Sequence, residues 1–312
     1  MLQNLKLAPI YDGFIFLAES TRNPPFLRSH HHAELELNLV VAGTITYVVG
    51  GECFSFGPRS LLWLFPAQEH QLVDRSNDAR NFVAVFKPGL IARACSGEAY
   101  RGLKRKKGAG RGILHTILAP EDFDFLRRTM ERVTEGSGDP DVLNREAGFG
   151  LVSDFRYEHR DPDGLNAGLC HLLLLCWRLQ QAGADRHAAV CLHPSILKAI
   201  EILSDNAWSG TFAQLARRCG FSEAHFSRTF ARQVGVPLNR YRNSLRMGRF
   251  WECLRKPARP TLIEAVYEAG FGSYAQFYKV FVAAYGQGPR ACLRVSKKAG
   301  SFLCFPRPPG RG

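Results

Sequence analysis

TFAQLARRCGFSEAHFSRTFARQVGVP, residues 211–237, is the stretch from which the fold of this chain is read. It opens on Thr211-Phe-Ala-Gln214, a capping box in which the Thr hydroxyl accepts from a free helix amide and Gln reaches back. A short helix follows, with Leu215 and Cys219 inward and Ala216 small enough for a second helix to come close. Gly220-Phe221-Ser222 reads as the turn, because glycine accepts the left-handed backbone that a tight inter-helix turn needs. Ser222 is expected to cap the next helix, on which Phe226 and Phe230 lie one turn apart on the buried face. Gly235 stops that helix and Pro237 starts another.

The pattern returns at residues 261–289, TLIEAVYEAGFGSYAQFYKVFVAAYGQGP. Thr261 and Glu264 make the second capping box, Gly270-Phe271-Gly272-Ser273 the turn, and Ser273 with Gln276 the next cap. Phe277 and Phe281 repeat the buried pair, and Gly286 and Pro289 repeat the exit. Gly220 and Gly270 are 50 residues apart, and Gly235 and Gly286 are 51 apart. Helix, glycine turn and helix with paired apolar anchors describe a helix-turn-helix unit, whose second helix fits the major groove of DNA. One copy describes many helical hairpins; two copies with caps and turns are a repeat. Between them an amphipathic helix is expected over about Leu238–Leu254, with Tyr241, Leu245 and Trp251 inward and Arg240, Arg242, Arg246, Arg249 and Arg255 on its wet side.

Charge supports the same reading. Residues 191–298 hold 17 Lys and Arg against 6 Asp and Glu, whereas residues 1–190 hold 22 of each. A neutral first part joined to a strongly basic second part is the footprint of a polyanion binder.

These residues carry a resemblance. Leu215-Ala216, Gly220-Phe221-Ser222, Phe226, Phe230, Gly235-Val-Pro237, Tyr241, Leu245-Arg246, Gly270-Phe271, Phe277, Phe281, Gly286 and Pro289 resemble the C-terminal domain of the AraC/XylS family of bacterial transcription regulators. Three positions depart from the family's usual residues: Val266 for Ala, Gly288 for Ser or Thr, and Cys292 for an aromatic residue. The resemblance implies a sequence-specific transcription regulator that reads double-stranded DNA. It also implies a long helix holding two recognition helices about one DNA turn apart, so that one subunit reaches two successive major grooves. It places Ala224, Ser227 and Arg228 at base-reading positions. A guanidinium can bind guanine bidentately, which makes Arg228 the strongest candidate. The corresponding set in the second unit is Tyr274, Ala275, Tyr278 and Lys279. Arg232, Arg242 and Arg246 are candidates for phosphate or helix-surface contacts, against the plainer reading of solvated side chains.

Upstream, the period changes. Residues 10–90 read as short strands, with apolar segments at Leu35–Val41, Ile45–Val49, Cys53–Phe56, Leu61–Phe65 and Asn81–Phe86, punctuated by Gly43, Gly50-Gly51, Gly57-Pro58 and Pro66. Such spacing suggests a sandwich or barrel. Residues 98–112, with Lys104–Lys107 and a Gly-rich run, are expected to be an exposed loop. From about 120 the spacing is helical: Phe123, Leu126, Met130 and Val133, then Leu165, Leu169, Leu172, Leu173 and Cys176. That second stripe, continued by Leu179, either pairs with its copy in a homodimer or packs on the barrel. Gly183-Ala184-Asp185 ends the helix and begins a linker. Another helix starts near Pro194, with Ile196, Ala199, Ile200 and Leu203 on one face.

His30-x-His32-x3-Glu36-x6-Gly43, followed by His70, resembles the cupin signature, in which His, His, Glu and His of a small β-barrel converge. It is similar also to the cupin-like sensor barrel of many AraC/XylS regulators, which binds a small effector. Two departures are visible: Pro58-Arg59-Ser60 replaces the usual glycine of the second motif, and Asp74 stands where an Asn usually follows. Three readings of His30, His32, Glu36 and His70 stand open: a divalent metal site, a polar effector pocket, or surface histidines at a barrel mouth. No cofactor is expected beyond that possible metal.

The expected class is α+β: an N-terminal cupin-like β-barrel with appended helices, then an all-α domain with two helix-turn-helix units joined by a long linker helix. The expected domains are 1–184 for effector binding and dimerisation (barrel about 10–90, helices about 120–183), 193–298 for DNA binding, and a flexible tail at 299–312. The expected mechanism is an effector that shifts the packing of the helices at 120–183 and so changes dimer geometry or the freedom of the DNA-binding domain. RNA polymerase and a second copy of the chain are expected partners, and the chain is expected not to be an enzyme. The rival reading is a cupin metalloenzyme with an appended DNA-binding domain, which would need a metal with an open position. Met1–Pro9 lacks the basic start and apolar run of a signal peptide, and Leu165–Leu179 is shorter than the ~20 residues that span a bilayer. Nine scattered cysteines without a CxxC pair indicate neither zinc ribbon nor disulfide framework. A reducing cytoplasm is therefore expected.

Overall fold

Alternation along Leu35–Ala42 (β2) sends Leu35, Leu37 and Leu39 to one face and Glu36, Asn38 and Val40 to the other. Both faces are covered, so the strand is almost wholly apolar, and its two polar side chains lie inside the protein. The computed structural model that shows this describes residues 5, 7–19, 29–76, 78–105, 113–137, 157–183, 190–205, 208, 210–255, 260–285 and 288–291. The remaining strands are β1 (Gly13–Glu19), β3 (Ile45–Val49), β4 (Glu52–Phe56), β5 (Ser60–Leu64), β6 (His70–Arg75), β7 (Arg80–Phe86), β8 (Leu114–Ile117) and β9 (Val190–Cys191). They form a five-stranded sheet in the order β1-β7-β2-β5-β8 and a four-stranded sheet in the order β6-β3-β4-β9. Every strand pair is antiparallel.

Between the sheets lie Val40, Ile45, Phe54, Phe56, Leu62 and Leu64, the interior of a cupin-like barrel. The outer face of the five-stranded sheet is covered by α2 (Pro120–Thr134) and α3 (Pro162–Ala182), through Leu126, Met130, Leu169, Leu172 and Leu173. The α3 stripe is therefore spent within the chain: Leu169, Leu172, Leu173 and Cys176 are fully buried against the sheet. Each such leucine contributes roughly 1.5–3 kcal/mol. β7 leads into α1 (Pro88–Ala94).

The expected exposed loop at 98–112 is corrected in conformation in its first half, although Glu98, Ala99, Arg101, Lys104 and Arg105 are exposed as expected. Glu98–Lys104 is a 3-10 helix, held by buried Leu103 and by Trp177 Nε1 donating to the Ala99 carbonyl at 2.8 Å. Tyr100, which also packs on the core and accepts from Arg178 Nε at 2.8 Å, helps to anchor it. The described cysteines, buried apart from half-buried Cys170, are free thiols.

The C-terminal part holds α4 (Pro194–Ser204), α5 (Phe212–Arg218), α6 (Glu223–Val234), α7 (Leu238–Arg255), α8 (Leu262–Glu268) and α9 (Tyr274–Tyr285). Tyr241 and Leu245 of α7 enter one core with Phe226, Phe230 and the apolar face of α4. Met247, Phe250 and Cys253 of the same helix enter another with Phe277 and Phe281. One helix thus splints two small units. The first core is continuous with the barrel, since Val48, Cys53 and Val73 belong to it.

Gly286, Cys292, Cys304, Gly108–Gly112, Ala184-Asp185, the side chains of Cys191, Trp251 and Arg255, and the tail 299–312 lie outside the described residues. Among the described residues no helix is long and apolar enough to cross a membrane.

Candidate nucleic-acid interface and sensor site

Both capping boxes form. Gln214 N donates to Thr211 Oγ1 at 3.2 Å and Thr211 N to Gln214 Oε1 at 2.8 Å. In the second unit Glu264 N donates to Thr261 Oγ1 at 3.3 Å and Thr261 N to Glu264 Oε2 at 2.7 Å. The turn glycines Gly220 and Gly270 have φ of 77° and 86°, in the left-handed region. Ser273 caps as expected, accepting from Gln276 N at 3.2 Å. Ser222 does not: it is the N-cap of α6 but its side chain accepts no cap hydrogen bond. The second turn has one residue more, Gly272, whose amide donates to Gln276 Oε1 at 3.1 Å, so the two turns share a plan but not a hydrogen-bond set.

Phe226 and Phe230 are fully buried, which leaves Ala224, Arg228 and Arg232 exposed and Ser227 half-buried on the other side of α6. Among the described residues no carboxylate forms an ion pair with Arg228. In α9, Ala275, Tyr278 and Lys279 are exposed, while Tyr274 is half-buried and packs on Phe277 with ring centroids 5.8 Å apart. Tyr274 therefore also serves the core.

The expected wet stripe of α7 is corrected in part: Arg240 is exposed as expected, while Arg242, Arg246 and Arg249 are half-buried. Arg240 Nη2 lies 3.1 Å from Asp74 Oδ1 of β6 and donates to the Arg75 carbonyl at 3.2 Å. Arg249 Nη2 donates to the carbonyls of Leu203 and Asp205 at 3.0 and 2.7 Å, closing the end of α4. Next to Arg240, Gln71 Nε2 of β6 donates to Tyr241 Oη at 2.9 Å. The barrel thus touches the first helix-turn-helix unit through β6, and also through Val48 of β3 and Cys53 of β4, whose Sγ donates to the Val234 carbonyl at 3.8 Å.

His30, His32, Glu36 and His70 meet inside the barrel. His30 and His70 exchange backbone hydrogen bonds of 3.0 and 2.9 Å, and their rings lie 4.3 Å apart. β2 begins only at Leu35, so His32 reaches the cluster from the segment before the strand. His32 Nε2 is 3.1 Å and His70 Nε2 3.8 Å from Glu36 Oε2. Asn38 Nδ2 donates to Glu36 Oε1 at 2.7 Å, and Asn81 Nδ2 to Asn38 Oδ1 at 2.8 Å. Asn38 and Asn81 were missed in sequence, although the strand period that places Glu36 inward places Asn38 beside it.

Burial opposes the charge of Glu36, yet the His32 hydrogen bond, the nearby imidazoles and Asn38 hold its carboxyl down to about 2. Burial also opposes charge on His32, but the Glu36 hydrogen bond and charge win and raise it. For His70 burial wins, and its pKa falls.

His32 and His70 are 3% and 2% exposed, which removes the reading as surface histidines for these two, while His30 is half-buried. His70 Nδ1 faces the Gln68 carbonyl at 2.8 Å, which calls for a proton on that nitrogen and leaves Nε2 a lone pair; this buried Nε2 has no hydrogen-bond partner. One nitrogen from each of His30, His32 and His70 falls within 4.8 Å of the others. This donor set fits a divalent cation as well as the polar end of a small molecule. A cavity of about 290 Å³ lies elsewhere, between the sheet and α2, lined by Leu17, Arg80, Phe82, Phe123 and Arg127 among others.

Two family descriptions match the chain: an AraC-like ligand binding domain over residues 13–108 and a helix-turn-helix domain over residues 215–294. No curated protein matches it. Among solved structures, ToxT from Vibrio cholerae O395 is 13% identical, with 89% of this chain and 95% of that chain covered and a TM-score of 0.32. The AraC-like transcriptional activator CuxR is also 13% identical, with 85% and 83% covered and a TM-score of 0.30. At these scores, ligand and mechanism have to be argued from this chain's own residues.

Proposed function

Because the chain belongs to the AraC-like transcription regulators, with a ligand-binding domain followed by a helix-turn-helix DNA-binding domain, we propose that it reads two successive major grooves of one duplex under control of a small effector. The supporting observation is α7, which places one half in each helix-turn-helix core. Its 18 residues span roughly 27 Å at about 1.5 Å per residue, the order of the ~34 Å groove repeat. In this reading Ala224, Ser227 and Arg228 of α6 and Tyr274, Ala275, Tyr278 and Lys279 of α9 face base edges, and Arg232 meets phosphate.

His30, His32, Glu36 and His70 hold the polar end of the effector. If the site takes a divalent cation, His30, His32 and His70 are its nitrogen ligands with Glu36 beside them, and the cation supplies a Lewis-acid centre for an anionic effector group. Coupling to DNA runs along β6, where His70 faces the cluster and its neighbour Gln71 faces Tyr241. It operates to the extent that the effector binds the two states unequally. A homodimer, RNA polymerase as a further partner and a cytoplasmic site of action complete the proposal.

The test is selection from a pool of randomised duplexes with the full chain. The expected product is a two-part site with elements about 10–10.5 base pairs apart. Arg228→Ala should lose ~1–3 kcal/mol at one base and relax preference there. A single uninterrupted element, or equal loss on every duplex, would overturn the proposal.

A further inference from the structure

Three arginines lie on one stripe of α7, at positions 242, 246 and 249, spaced by four and three residues. Arg249 is accounted for by the two carbonyls that it closes. Arg242 and Arg246 are not. Arg242 stacks on Phe212 of α5, its guanidinium carbon 3.7 Å from the ring centroid. Arg246 stacks on Phe271 of the second turn at 5.8 Å. Each thus leans on an aromatic residue of a different helix-turn-helix unit, at the middle of the helix that splints them.

Among the described residues neither arginine has a carboxylate within ion-pair distance, and the buried Nε of Arg242 has no hydrogen-bond partner. Like charges one helical turn apart repel. Burial lowers the pKa of both, and the charge of Arg242 helps to bring Arg246 down to about 10. Two half-buried, mutually repelling cations without an anion are a costly arrangement inside one chain. The two units that these arginines bridge each carry a recognition helix, so the middle of α7 lies between the two grooves that one duplex would present to them.

We propose that Arg242 and Arg246 form a phosphate clamp at the centre of the footprint, gripping the backbone between the two grooves. This rests on the DNA-binding reading above and adds to it the site that receives the backbone. The planar guanidinium suits the role, because it stacks on an aromatic face while its outer N–H groups meet phosphate oxygens. Such contacts position the protein without reading sequence.

The experiment measures affinity against salt for the full chain on two duplexes, one selected by the wild type and one of randomised sequence. Each phosphate contact contributes ~0.9 to the slope of log affinity against log salt. Arg242→Gln and Arg246→Gln should each flatten the slope by about that amount, and the double variant by about twice as much, equally on both duplexes. Arg242→Lys with Arg246→Lys keeps the charge and should keep most of the slope. Arg249→Gln should change melting but not slope. A slope unchanged in the double Gln variant overturns the clamp, even if affinity falls. If the Gln variants melt early, the Lys pair decides, because a clamp predicts that slope and most of the affinity are kept with the charge, and a packing role that affinity is lost although the charge is kept. If the wild type binds every duplex alike, only the sequence-reading proposal fails and the slopes still decide the clamp. A wild type that binds no duplex sinks both.

Discussion

Tyr241→Phe removes one oxygen at the seam between barrel and DNA-binding domain. The ring is fully buried and remains, so no cavity is made. What goes is the acceptor that Gln71 Nε2 meets at 2.9 Å, together with the hydroxyl's own hydrogen bond to the Ser204 side chain; Ser204 Oγ, at 3.5 Å, is the next acceptor in reach of the same amide. Gln71 is only 2% exposed, so water does not readily replace the loss. Weakening the hydrogen bonding of a buried neutral amide costs about 1–2 kcal/mol. For a unit of this size that lowers Tm by ~2–4 °C per kcal/mol. The assay is a double-mutant cycle by thermal or urea unfolding of the wild type, Tyr241→Phe, Gln71→Met and the double variant. Gln71→Met deletes the other partner, and with both polar groups gone the double variant should recover part of the loss. The expected coupling is about 1 kcal/mol; additivity to within ~0.3–0.5 kcal/mol would refute the claim that this hydrogen bond joins barrel and DNA-binding domain.

Two further outcomes follow from the same structure. Stability in the presence of a chelator should fall in acid, since Glu36 is held below its ordinary value and His70 below 6.5. The unfolded chain then binds the extra protons: the His70 contribution is lost as pH drops below 6.5, and that of Glu36 as pH falls from 4.5 toward about 2. His32, raised above 6.5, works the other way and loses its contribution as pH rises. Glu36→Gln should flatten the lower acid limb in a Tm-against-pH series, and a parallel curve would contradict the assignment. Gly220→Ala should cost ~1–2 kcal/mol from backbone alone, because φ is 77° and nothing lies within 4 Å of the added carbon. Gly220→Asn should cost less, as Asn tolerates that region; equal losses on urea unfolding would argue against the left-handed turn.

What the sequence determined by itself is the C-terminal plan. Thr211 with Gln214, Gly220, and Phe226 with Phe230 act over three or four residues, and so do their counterparts Thr261, Gly270, Phe277 and Phe281. Caps, turns and helical stripes are local physics, legible without knowing what packs on what. The strands at Leu35, Ile45, Leu61 and Asn81 were legible too, as short apolar and β-branched runs punctuated by glycine and proline. β6, starting on His70-Gln71, was not, because its apolar residues follow a polar start. Only the tertiary structure decided that His30 and His32 meet His70 across a barrel, that Asn81 supports Asn38, and that Arg240, though exposed, also reaches Asp74. It alone shows Arg242 and Arg246 with no described carboxylate paired to them, a fact that depends on every neighbour at once. Those relations join residues tens to more than a hundred positions apart, and such pairings come from closing the chain on itself, which no local period records.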